Sequence, residues 1–191
     1  MELQLMVALL LLPACSGQSA QHCHGQPCPQ YQILEANGDF EVRQYPPTDW
    51  ITTEVEGSDL PAFLAARSRL KDFCEKSQKA GQPCPGAWPA IITVSKERQA
   101  QKVTLSWYLP TETKLQTFDT SVTLQHRDAA IIFVSSFGGF PGLSGAQDHV
   151  EILKKSVAKV GRKFKSHTFT GAGYDTFLAS SHYNEVWVYA A

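Results

Sequence analysis

Four side chains that could bind a soft metal or cross-link the chain fall within seven residues: His22, Cys23, His24 and Cys28. Zinc accepts imidazole and thiolate together, but this spacing matches no standard finger. Cys74 and Cys84 supply a second pair further on, and Cys15 stands alone near the start. In an oxidising compartment, cysteines at such spacings form disulfides. Three pairings of the four are possible. The short loop between Cys74 and Cys84 favours that bridge and leaves Cys23 with Cys28, so no metal site is expected.

Catalytic combinations are missing from the pattern. The stretch Gly139 to Gly145 reads Gly-Phe-Pro-Gly-Leu-Ser-Gly, which lacks the spacing of a nucleophile elbow. Ser144 reads instead as a helix cap. The carboxylates Asp39, Glu41, Asp119, Asp128, Asp175 and Glu185 are scattered beside turns and strand ends and form no acid/base pair. Phosphate loops, dinucleotide fingerprints and H-E-x-x-H are absent from the sequence. These observations point away from an enzyme. With 17 Lys+Arg against 18 Asp+Glu there is no cationic excess to hold a phosphate backbone, so nucleic acid is disfavoured.

Aromatic residues carry more information. Trp50, Phe63, Phe73, Trp88, Trp107, Phe133, Phe137, Phe140 and Trp187 suffice to build a core and still line an apolar cleft. Trp88 stands out because it lies between the Gly81 to Gly86 loop and Pro89, where packing does not obviously need a large ring.

The elements that must position these residues follow from periodicity. Leu5 to Leu12 is an unbroken apolar run followed by Ala14, Ser16, Gly17 and Ser19, the shape of a cleaved signal peptide. It is too short for a membrane span of about 20 residues. Residues 1–19 are thus expected to be a leader, 20–30 an N-terminal tail carrying Cys23 and Cys28, and 31–191 one domain of a secreted, extracellular protein that enters no membrane. Strands are expected from Phe40 to Arg43 and from Trp50 to Val55. A helix follows over about 59–76, with Ser58 or Asp59 as cap and Pro61 near its first turn. Two more strands lie at Ile91 to Val94 and Val103 to Leu109. The second half repeats this order. Val122 and Leu124 alternate, Ala130 to Val134 is a β-rich run, and Ser144 with Gln147 opens a helix that Gly161 stops. Strands at His167 to Tyr174 and Glu185 to Tyr189 finish the chain. The pattern is ββαββ twice, an α+β duplication with one curved, barrel-like sheet and two helices against it.

Phe40-Glu41-Val42-Arg43-Gln44-Tyr45 resembles the E-[VI]-R-x-Y strand of the SOUL/heme-binding-protein family. Further matches occur in order: Trp50, the Ala62 to Phe73 helix, Trp107-Tyr108-Leu109-Pro110 and Ser136-Phe137-Gly138-Gly139-Phe140. The C-terminal pair is the strongest, Ala172-Gly173-Tyr174-Asp175 with Asn184-Glu185-Val186-Trp187. Together they span about Tyr31 to Val188. The resemblance implies a distorted antiparallel barrel of two ββαββ repeats and noncovalent binding of heme or a related porphyrin, held near the first helix and the loop after it. The implied site residues are Phe63, Ala66, Arg67, Leu70 and Trp88, with Arg67 as partner of a propionate. Two departures matter. Gln44 stands where some members of the family carry a histidine proposed as the iron ligand, and an amide is a poor ligand beside imidazole. The family's M-T-x-P-V stretch becomes Gly86-Ala87-Trp88-Pro89-Ala90. Binding without a strong axial protein ligand is the expectation.

Overall fold

The computed structural model describes residues 22–84, 87–97, 100–110, 113, 115, 120–139, 143–176 and 178–191. The expected leader, Cys15, Gly86, Phe140 and the side chain of Ser144 lie outside the described residues. The elements run β1 Gln32–Ala36, β2 Glu41–Tyr45, β3 Thr48–Glu54, α1 Leu60–Lys79, β4 Ala90–Glu97, β5 Ala100–Leu109, β6 Thr123–Arg127, β7 Ala130–Gly138, α2 Leu143–Lys159, β8 Phe164–Gly173 and β9 Tyr183–Ala190. After β1, this is ββαββ twice, as the alternation predicts.

Among the described residues the strands form one antiparallel sheet ordered β1-β2-β7-β9-β8-β4-β5-β3-β6. It curls without closing, so the barrel is open. The order has an internal two-fold about the β4/β8 pair, where Ile92 faces Gly171 and Val94 faces Phe169. Outward from that seam run β4-β5-β3 on one side and β8-β9-β7 on the other. Each half is then capped by the first strand of the opposite repeat, because β2 pairs with β7 and β6 with β3.

Both helices pack on the same face, each on its own half. α1 lays Ala66, Leu70 and Phe73 on Ile51, Val103 and Leu105, whereas α2 lays Val150, Leu153 and Val157 on Val42, Phe133, Val186 and Val188. The opposite face holds an aromatic cluster of Tyr45, Trp50, Tyr108, Tyr174 and Trp187. Removing such large apolar surfaces from water contributes the main folding drive, at about 25 cal/mol per Å². The Cys23–Cys28 and Cys74–Cys84 disulfides are both formed. Cys23 is fully buried against the aromatic cluster, so the segment from His22 to Cys28 docks onto the domain.

Local chemistry sets the ends of the helices. Asp59 is the cap of α1 and its carboxylate accepts the Ala62 N–H at 3.0 Å. The helix runs to Lys79, one turn past the expected end, because buried Ser77 donates to the Phe73 carbonyl at 3.0 Å and keeps that turn on the body. Gly161, at φ +74, stops α2, and Arg162 N–H closes back on the Val157 carbonyl at 3.2 Å. The unexpected strand is β1. It is a mostly exposed edge with a register shift between Ile33 and Glu35, so no face repeats apolar residues at period two.

Candidate functional site

Small residues at the seam leave space between the helices. On the helix-bearing face, Ala90, Gly171 and Gly173 cross β4 and β8 where the sheet passes from one helix to the other. A cleft of about 700 Å³ opens there, inside the 300 to 1,000 Å³ range of small-molecule sites. Ile92, Leu105, Trp107 and Phe169 complete its floor. The N-terminal turns of α1 form one wall with Leu60, Phe63, Leu64 and Arg67; Phe137 and Ala146 form the opposite one. Trp88 closes an end from the loop before β4, and Asp175, Thr176 and Leu178 border it from the loop before β9. Leu60, Leu64 and Leu178 are exposed, so the mouth itself is apolar.

The cleft brings together Phe63, Arg67 and Trp88 of the sequence-predicted set. It does not include Ala66 and Leu70, which are fully buried in the α1 core. Leu70 follows Phe63 by seven residues, about 10.5 Å along the axis, where the helix already rests on the sheet. Gln44 is exposed on β2, opposite Ile131 of β7, three strands from β8 and therefore about 14 Å from the floor. The identity of residue 44 consequently has no direct bearing on the cleft. Sequence reasoning missed Gly171, Gly173 and Asp175. Glycines at alternate positions of an otherwise β-rich run were the available sign, since strands disfavour glycine unless something must come close.

Charge in the cleft is sparse and unequal. Among the described lining residues, Arg67 is the cation, Asp175 and Glu185 are the anions, and there is no His, Cys or Met. Asp175 is mostly buried; its Oδ2 accepts the Tyr183 N–H at 2.6 Å, and its Oδ1 lies 3.6 Å from Nε2 of His24. Glu185 is fully buried and saturated. Oε1 accepts from Arg43 at 2.9 Å and from the Tyr183 hydroxyl at 2.9 Å, while Oε2 accepts from the Tyr174 hydroxyl at 2.9 Å and the Trp187 indole at 2.8 Å. Burial and then the Glu185 charge push the Tyr174 and Tyr183 phenols above the ordinary tyrosine range. Burial is the largest single influence on Arg43 and works against its charge, yet Glu185, Tyr45 and Tyr31 together outweigh it and the net shift is upward. With four donors engaging its two oxygens, Glu185 braces the scaffold.

The family model SOUL heme-binding protein matches residues 26–189. Heme-binding protein 2 of Homo sapiens is 26% identical over 160 residues, covering 79% of this chain and 78% of the relative. Heme-binding protein 2 of Mus musculus gives the same identity and coverage, 26% over 160 residues and 79% of this chain. Among solved structures, the EcmrR C-terminal domain superposes with a TM-score of 0.60 at 10% identity, covering 84% of this chain and 98% of that one. A hydrolase from Listeria innocua gives 0.57 at 12% identity, covering 83% and 94%. At such identities the structural likeness shows a shared fold alone.

Proposed function

Because the chain belongs to the SOUL heme-binding protein family, we propose that it binds heme or a related tetrapyrrole noncovalently in the cleft between α1 and α2, as a secreted carrier or scavenger without turnover. The observation that carries this reading is the cleft itself: about 700 Å³, floored by Ile92, Leu105, Trp107 and Phe169, with the Trp88 ring at one end. A flat macrocycle buries its apolar faces against such a floor, and Arg67 is the group suited to a propionate at the rim. No His, Cys or Met occurs among the described lining residues, which supports a ring held by its faces and edge without a strong axial protein ligand. The two disulfides and the leader expected at residues 1–19 support export to an oxidising compartment.

A hemin titration of the leader-free protein tests the reading. The expected result is a Soret shift saturating at one equivalent, with quenching of tryptophan emission. Absence of any saturable shift would overturn the tetrapyrrole assignment. Binding of an apolar fluorescent probe under those same conditions would then favour another amphipathic small molecule.

A further inference from the structure

The segment His22 to Cys28 contributes no residue to the cleft lining, yet it holds two that do. Its conformation is unusual. His24 sits at φ +51, a left-handed backbone that a side chain other than glycine adopts at a cost, and Gly25 follows at φ +73. The Cys23–Cys28 bridge closes the turn, and fully buried Cys23 anchors it. This geometry aims the His24 ring at the end of the cleft. Its Nε2 donates to the Tyr174 carbonyl at 2.7 Å, because a carbonyl can only accept. The same nitrogen lies 3.6 Å from Asp175, and the ring lies 5.6 Å from the Trp88 ring at 55°. Alongside, His22 stacks on Tyr183 at 3.9 Å and 7°. Tyr183 in turn donates its N–H to Asp175.

We infer that the disulfide-closed segment His22 to Cys28 is an outer wall of the ligand cleft, and that His24 is a positioning residue that fixes Trp88 and Asp175 at its end. Trp88 comes from a loop, and Asp175 from another; neither belongs to a helix or strand that would hold it. A single imidazole lodged against both removes freedom from both before a ligand arrives, and preorganisation of this kind raises affinity without a new contact. Charge enters as well. A bare Asp175 would repel a ligand carboxylate; the imidazole beside it and the Tyr183 N–H oppose that repulsion. The inference rests on the cleft being the ligand site, whatever ring it takes.

The test compares wild type, His24→Ala and His24→Gln, with two readouts. One is hemin affinity. The other needs no ligand: the emission of Trp88, obtained as the difference between each protein and its Trp88→Phe counterpart. The expected result for His24→Ala is an affinity about tenfold lower and a red-shifted Trp88 emission, with unchanged far-ultraviolet circular dichroism. His24→Gln, whose amide N–H can reach the Tyr174 carbonyl, should recover most of both. Wild-type affinity and emission in His24→Ala would overturn the inference, as would equal losses in both variants. Should wild type fail to bind hemin at all, the tetrapyrrole reading falls by itself, and the emission comparison still decides the role of His24.

Discussion

Glu185 and its four donors show how a single side chain can order much of an interior. Arg43 is 3% exposed and also pairs with Glu41 at 2.7 Å, so Glu185→Gln leaves a buried guanidinium with one partly exposed carboxylate. Breaking a buried pair from one side costs about 3–5 kcal/mol, and the surviving Glu41 places the expected loss toward the lower end. Urea unfolding measures it. The same network sets an alkaline limit. Tyr174 and Tyr183 titrate higher when folded than when unfolded, so the folded state keeps protons that the unfolded state gives up. Stability is fully present below about pH 10 and falls as pH rises from there toward the folded values. Tyr183→Phe should flatten that fall in thermal melts taken across the range. At the cleft, Trp88→Ala should weaken hemin binding about tenfold and leave the fold intact. Trp88 was legible because the loop around it gave no packing reason for a large ring. Ala66 and Leu70 were not separable from Phe63 and Arg67, since helical spacing shows which residues share a stripe and not how far along it the cover extends.

Elements place the cleft through what they omit. β8 carries Gly171 and Gly173 opposite Ile92 and Ala90 of β4, and a Cβ added at Gly171 would find its nearest neighbour, the Ala146 Cβ, at an ordinary 3.7 Å. Gly171→Val should therefore fold, with melting temperature unchanged or raised by the better strand former, while hemin affinity drops because branched methyl groups occupy the floor. Calorimetry beside a hemin titration separates the two effects. The Cys74–Cys84 bridge ties the end of α1 to the loop that leads to Trp88. Replacing both cysteines with alanine should lower unfolding free energy by up to about 3 kcal/mol, read from denaturant midpoints. Strand and helix order was readable because the buried faces repeat at periods of two and 3.6. β1 was not, since an exposed edge strand has no face to advertise.

At the scale of the whole molecule, duplication and exchange go together. Neither repeat completes its own half of the sheet, because β2 lies beside β7 and β6 beside β3. Residues 31–109 and 120–191 produced as separate chains should each lack a cooperative urea transition, and a sharp transition in either would contradict the exchange. The duplicated order was visible in the sequence; the swapping of first strands was not, because periodicity records which face of a strand is buried and not which strand lies beside it. The strand order beneath the cleft reads the same from either side, but the side chains do not, with Phe63 and Arg67 reaching in from α1 and Ala146 from α2. A macrocycle bearing both carboxylates along one edge therefore meets a lopsided seat and should settle in one of its two flips, giving a single set of porphyrin methyl resonances instead of a doubled spectrum.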